Sequence, residues 1–130
     1  MYTVEHIYLV PYITVMDPLE LFKQLSDTTR LRCLALMTTE GELCVCELTH
    51  ALDLSQPKIS RHLAQLRESG VVQSRRAGHW VHYRIHDELP EWAALVIQGM
   101  QAATERQEPY RSDLQVLKDM PNRPGATCCA

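Results

Sequence analysis

The strongest constraint on this chain is a change of hydrophobic period inside one short stretch. In 56-QPKISRHLAQLRES-69, Ile59, Leu63 and Leu66 recur at helical spacing. Ser55 stands where an N-cap belongs, Pro57 is tolerated in the first turn, and Gly70 closes the helix. Beyond it, in 71-VVQSRRAGHWVHYRI-85, the period drops to two: Val81, Tyr83 and Ile85 alternate with Trp80, His82 and Arg84. That is a strand pattern, and 75-RRAGH-79 reads as the turn of a hairpin. A shorter helix is expected before this unit, from Cys44 to about Leu52, with Val45, Leu48 and Leu52 facing in and 53-DLS-55 as the connection. A short helix, a three-residue turn, a longer helix and a hairpin predict a mainly α (α+β) fold, a winged helix-turn-helix with a two-stranded wing.

The flanks extend this unit. In 18-PLELFKQLSD-27, Leu19, Phe22 and Leu25 fall at helical spacing. Ser26 or Asp27 can then cap a second helix over 28-TTRLRCLALMT-38, with Leu31, Leu34 and Ala35 inward and Gly41 as its end. A helix over 89–106 carries Trp92, Leu95, Val96, Gly99 and Ala103 on one side, and 109–120 is a further helix candidate. The expected organisation is an N-terminal extension over 1–16, one domain over 17–106, a C-terminal helix within 107–120 and a flexible tail over 121–130. One small reading helix gives modest affinity, so such modules work as two-fold dimers. Leu19, Phe22, Trp92, Leu95, Val96 and Gly99 form the expected homodimer seam, unless that stripe packs only on its own core.

Charge points to the partner. Between Ser55 and Arg84, six Lys/Arg stand against the single acid Glu68, a net of +5 that leaves −8 for the rest of a chain totalling −3. A basic module on an acidic body is a footprint of double-stranded DNA contact. Opposite the apolar stripe of the 56–69 helix lie Lys58, Arg61 and Gln65, with Gln56 and Ser60 nearby. Arg and Lys donate to guanine edges and Gln pairs with adenine, while Ser60 and the helix N-terminus suit phosphate. His62 leans toward the buried side and serves either DNA contact or packing. Arg75, Arg76 and His79, at the expected hairpin tip, suit a backbone or minor-groove contact.

The stretch 41-GELCVCELTHAL-52 carries the other chemistry. Cys44 holds the N-cap slot of a capping box, with Glu47 three residues on. Sulfur is a weak acceptor, so loss of an oxygen cap costs about 1 kcal/mol. Two thiols at a helix N-terminus select soft ions, and the helix dipole favours thiolate while Glu42 and Glu47 oppose it. A trivalent ion such as As(III) or Sb(III) takes two or three sulfurs in a pyramid. Residues i and i+2 of a regular helix point about 200° apart. The expectation is therefore that both sulfurs reach one ion only if the first turn unwinds, so that ion binding competes with the DNA-reading shape. The bland alternative is a pair of small apolar residues near a core, but Cys46 lies off the Val45/Leu48/Leu52 stripe. Cys33, inside an apolar helical run, reads as packing. Cys128 and Cys129 are candidates for a third ligand, a separate site or a vicinal disulfide.

Five cysteines without a recognisable export signal predict a cytoplasmic protein with metal or thiol chemistry rather than a disulfide framework. The apolar run 7-IYLVPYITVM-16 is broken by Pro11 and too short to cross a bilayer, so no membrane association is expected. A thiol oxidoreductase needs C-x-x-C near a strand–helix unit, and this motif is C-x-C, so no enzyme is expected.

On 42-ELCVCEL-48, 54-LSQPKISRHLAQLRESGVV-72 and 79-HWVHYRI-85, the chain resembles the ArsR/SmtB family of metal-sensing repressors, its arsenical-responsive branch most of all. The resemblance runs from about Leu19 to Ala94. It implies a homodimeric winged-helix repressor that leaves operator DNA when trivalent arsenic or antimony binds Cys44 and Cys46. That branch has a third cysteine where this chain has Thr49, so a hydroxide, Cys128 or Cys129 would complete the site. The family's cadmium/lead branch adds cysteines from an N-terminal arm, and residues 1–32 hold none. The zinc-type site on the C-terminal helices needs histidines, and Glu88 to Ala130 hold none. A divalent soft-metal (Cd/Pb) sensor and a thiol-redox repressor of the same fold are the alternatives.

Overall fold

The structure, a computed structural model, describes residues 16–123. Residues 1–15 of the expected 1–16 extension and the end of the expected tail, 124–130 with Cys128 and Cys129, lie outside the described residues, while Met16 is buried in the core and so belongs to the domain. The order of elements is α1 (Pro18–Leu25), α2 (Thr28–Glu40), β1 (Leu43–Cys44), α3 (Val45–Leu52), α4 (Gln56–Glu68), β2 (Val72–Ala77), β3 (Trp80–Ile85), α5 (Glu91–Thr104) and α6 (Tyr110–Lys118).

Local chemistry sets most boundaries. Asp17 caps α1 by accepting from the Leu19 amide, and Asp27 caps α2 by accepting from the Arg30 amide at 3.0 Å. Gly41 ends α2 at φ +80°, a conformation that penalises any Cβ. Ser55 caps α4 through the Lys58 amide. Between α3 and α4, Asp53 turns the chain in the left-handed region, which its short polar side chain tolerates. The α3–turn–α4 unit thus forms as expected.

Leu34, Leu36 and Met37 of α2, Leu48 of α3 and Ile59, Leu63 and Leu66 of α4 meet Val71, Val72 and Tyr83 in one core. Each fully buried leucine contributes roughly 1.5–3 kcal/mol, so the reading helix is held by its own apolar stripe. Cys33 is fully buried in this core, the packing role expected of it.

The two-stranded wing forms as expected, β2 pairing with β3, and a short third strand extends its sheet in the antiparallel order β1-β3-β2. β1 is only two residues long, too short for an alternation pattern, and pairs Leu43 with Tyr83 and Cys44 with His82. The hairpin turn is the pair Gly78–His79 rather than 75–79, because Gly78 takes the positive φ (+65°) that a tight two-residue turn needs. Arg75 and Arg76 therefore lie within β2, where Arg75 stands opposite His82 and Arg76 opposite Val81.

The flanking helices also rotate relative to the expected stripes. α1 buries Leu21 and Gln24 and leaves Leu19 and Phe22 exposed. α5 buries Ala93, Ile97 and Thr104, one or two positions along from Leu95 and Gly99, which are exposed. Trp92 and Val96 are half-buried against the core. The alternative that the whole Trp92–Gly99 stripe packs on its own subunit therefore does not hold. α6 lies across α2 and α3, with Leu117 fully buried and Asp113 accepting from Arg32 at 2.8 and 2.7 Å.

Candidate thiol site and nucleic-acid interface

The two sulfurs meet where β1 becomes α3. Cys44 is the last residue of β1 and the N-cap of α3, with extended backbone (φ −91°, ψ 166°). Cys46 is the second residue of the helix. The 200° divergence expected of i and i+2 applies only when both residues are helical, and Cys44 is not. Its side chain leaves from strand geometry, and the Sγ atoms of Cys44 and Cys46 stand 2.7 Å apart. This overturns the expectation that the first turn must unwind before both sulfurs reach one ion: the turn is intact and the sulfurs are already adjacent.

The surroundings are asymmetric. Cys44 is buried and Cys46 half-buried. Glu47, also buried, accepts the Cys44 amide with Oε1 at 2.9 Å, the carboxylate half of the expected capping box. Its Oε2 accepts from Nε of Arg123 at 2.8 Å. Thr49, one turn past Cys46, donates its hydroxyl to the Cys46 carbonyl at 2.9 Å. Among the described residues no group of three or more His, Cys, Asp or Glu comes together to hold a metal. Two soft sulfurs side by side fit a thiophilic ion and poorly fit a hard one.

The candidate DNA surface divides in two. Gln56, Arg61 and Gln65 are exposed on α4, and Lys58 and Ser60 are half-buried beside them, so this face is open to a groove. His62 turns the other way. It is 7 % exposed, with Nδ1 3.3 Å from Nη1 of Arg30 and 3.7 Å from Oδ2 of Asp27. Of its two expected roles the structure gives it packing, and it is removed from the DNA-facing set. Burial lowers its pKa first; Asp27 works against that, while Arg30, Arg61 and Lys58 lower it further. On the wing, Arg76 and His79 are exposed. Arg75 is engaged: its guanidinium forks onto Glu42, with Nε 2.8 Å from Oε2 and Nη2 2.5 Å from Oε1. That bond holds the Glu42 carboxyl below its usual range.

Sequence reasoning missed three residues here. Arg30 joins three elements, donating to the carbonyls of Gln24 and Lys23 at the end of α1 and to Oε1 of Gln65 on α4 at 2.6 Å. Its only local signal is a cation in a helix first turn, where the dipole disfavours it. Arg123 and the Glu42–Arg75 fork had no local signal, since each joins residues far apart in the chain. No described helix is long and apolar enough to cross a membrane.

Residues 27–74 match the bacterial regulatory protein, arsR family. The chain is 53 % identical over 110 residues to the arsenic resistance transcriptional regulator ArsR1 of Pseudomonas putida, covering 85 % of this chain and 84 % of that protein. Its structure resembles that of the AntR antimony-specific transcriptional repressor, with a TM-score of 0.56 and 26 % identity over 79 % of this chain and 83 % of the other. It also resembles the homodimeric winged helix-turn-helix DNA-binding domain Mb0332 of Mycobacterium bovis. There the TM-score is 0.56 and the identity 26 %, over 83 % and 93 % of the two chains.

Proposed function

The chain belongs to the arsR family of bacterial regulatory proteins, and from that premise we propose that it is a homodimeric transcriptional repressor released from operator DNA when As(III) or Sb(III) binds Cys44 and Cys46. The observation that carries this reading is the 2.7 Å approach of the two sulfurs at the head of α3, the first helix of the DNA-reading unit.

Cys44 and Cys46 are the donors to the ion. Cys44 is also the end of β1, hydrogen-bonded into the wing sheet opposite His82, and the cap residue of α3. An ion bonded to both sulfurs sets the separation of Cys44 from Cys46, and any change in it enters two DNA-facing elements together. Through the Glu47–Cys44 contact it reaches α3, which supports α4; through β1 it reaches β3 and the wing. An ion that favours the shifted junction and DNA that favours the present one are thermodynamically opposed. On the DNA side, Gln56, Lys58, Ser60, Arg61 and Gln65 of α4 face the major groove. Arg76 and His79 serve the flanking backbone or minor groove, and Arg75 joins them by exchanging Glu42 for phosphate. The open Leu19, Phe22, Leu95 and Gly99 positions, with Trp92 and Val96 beside them, form the dimer seam.

The test is a gel-shift titration with reduced protein. Cys44→Ser is expected to bind operator DNA as the parent does and to stay bound as As(III) is raised, while the parent lets go. A Cys44→Ser protein that is released at the parent's As(III) concentration contradicts the reading. Parallel titrations with Cd(II) and with peroxide separate a divalent-ion sensor and a redox switch from the metalloid sensor.

A further inference from the structure

Glu42 holds a wing cation from across the sheet. It stands just before β1, while Arg75 lies on β2, the strand at the opposite edge. β3 runs between them. Arg75 stands opposite His82 of β3, and His82 stands opposite Cys44 of β1, so these three residues share one face of the sheet. Over that face the Arg75 guanidinium reaches the Glu42 carboxylate with both Nε and Nη2, at 2.8 and 2.5 Å. The bond draws the guanidinium inward over β3, away from the free edge of β2 and from the exposed Arg76 and His79.

The Arg75 side chain is 58 % exposed, so an incoming anion can reach it, while Glu42 is the more enclosed partner at 24 %. An arginine fork takes a carboxylate and a phosphate through the same pair of parallel N–H donors. Glu42 therefore occupies the donor pair by which Arg75 would grip a DNA phosphate, and two anions placed side by side on one wing repel each other. The coupling between two ligands of one protein is typically worth about 5–150-fold. A repressor that holds DNA too tightly would stay bound even when loaded with its ion. An internal competitor for one phosphate contact lowers the affinity of the loaded and unloaded forms by the same factor and keeps release within reach of that coupling.

We propose that Glu42 is an internal stand-in for a DNA phosphate: by occupying the Arg75 fork in the DNA-free protein, it sets operator affinity low enough for an ion to release the repressor. The proposal rests on the metalloid-repressor reading above. Glu42 acts through Arg75 and is a positioning residue.

The test is a double-mutant cycle on reduced full-length protein with an operator duplex. Binding is read by fluorescence anisotropy at low and high salt, without arsenite and at saturating arsenite. Glu42→Gln keeps the size of the side chain and is expected to bind the duplex about three- to fivefold more tightly at low salt. The gain is expected to shrink at high salt. In an Arg75→Gln background the same change is expected to have no effect, whereas a bystander carboxylate would repel DNA with or without Arg75. The ratio of Kd with and without arsenite is expected to match the parent's, so loaded Glu42→Gln keeps the same gain. Weaker binding by Glu42→Gln would make the carboxylate a support that aims Arg75, and an equal gain in both backgrounds would make it a general repulsion; either overturns the proposal. A changed arsenite ratio overturns the role in setting affinity. A parent that does not bind the duplex, or that arsenite does not release, overturns the repressor reading itself.

Discussion

At the residue scale, the balance between burial and neighbouring charges sets the chemistry of three side chains. Burial pushes the Cys33 thiol up to about 12, with Arg32 acting against it, so at neutral pH this cysteine is protonated and inert. Asp27 sits in a position that raises a carboxyl, yet the Arg30 amide, His62 and the Arg30 guanidinium outweigh burial and hold it below its usual range. His62 is depressed mainly by burial, so the unfolded chain binds its proton more readily than the folded one. Its contribution is fully present above the unfolded value of about 6.5 and is lost as pH falls through the lower folded value. Urea denaturation from pH 8 to pH 5 is expected to show stability falling on the acid side, and His62→Gln is expected to flatten that fall. An unchanged slope in His62→Gln would assign the acid sensitivity elsewhere. The sequence placed His62 on the turning edge of its helix but not against Arg30, which lies on another helix.

At the element scale, the short strand β1 matters beyond its length. Two residues cannot announce themselves by alternation, and the helix expected from Cys44 absorbed the second of them. Their pairing with β3 is what takes Cys44 out of helical geometry and sets its sulfur beside that of Cys46. α6 was legible as a helix from its periodicity, but not as a part of the sensor's support. Its hold on α2 is the Arg32–Asp113 pair, with Asp113 almost fully enclosed. Asp113→Ala leaves the arginine partly buried without its carboxylate and is expected to cost about 3 kcal/mol. Denaturant unfolding measures the cost, and faster limited proteolysis around residues 107–120 reports release of α6. A loss below about 0.5 kcal/mol, the size of an ordinary surface change, would mean that packing at Leu117 alone holds the helix.

At the scale of the whole molecule, α1 and α5 each bury one face and leave an apolar one open. Leu19 is 76 % exposed, Phe22 53 % and Leu95 59 %. A second copy covering these faces doubles the number of reading helices and wings on DNA. Leu95→Glu adds a charge on this open face without touching the subunit's own core. It is expected to sediment as a monomer with parent-like unfolding, and to bind operator DNA about a hundredfold more weakly. A Leu95→Glu protein that remains dimeric would move the seam off α5.

What the sequence determined by itself is what acts over a few residues: the two hydrophobic periods, the Asp27 and Ser55 caps, the Gly41 and Gly70 stops, and the chemistry of the thiols and cations. Backbone preference and side-chain periodicity are local forces, so they are written locally. Only the tertiary structure decided which way the flanking stripes turn, that His62 packs inward, and that Cys44 belongs to a strand. It also joined Arg75 to Glu42 across 33 positions and Arg123 to Glu47 across 76. Such pairings arise when packed elements bring distant charges together in a shielded place, and no pattern within either segment encodes the meeting.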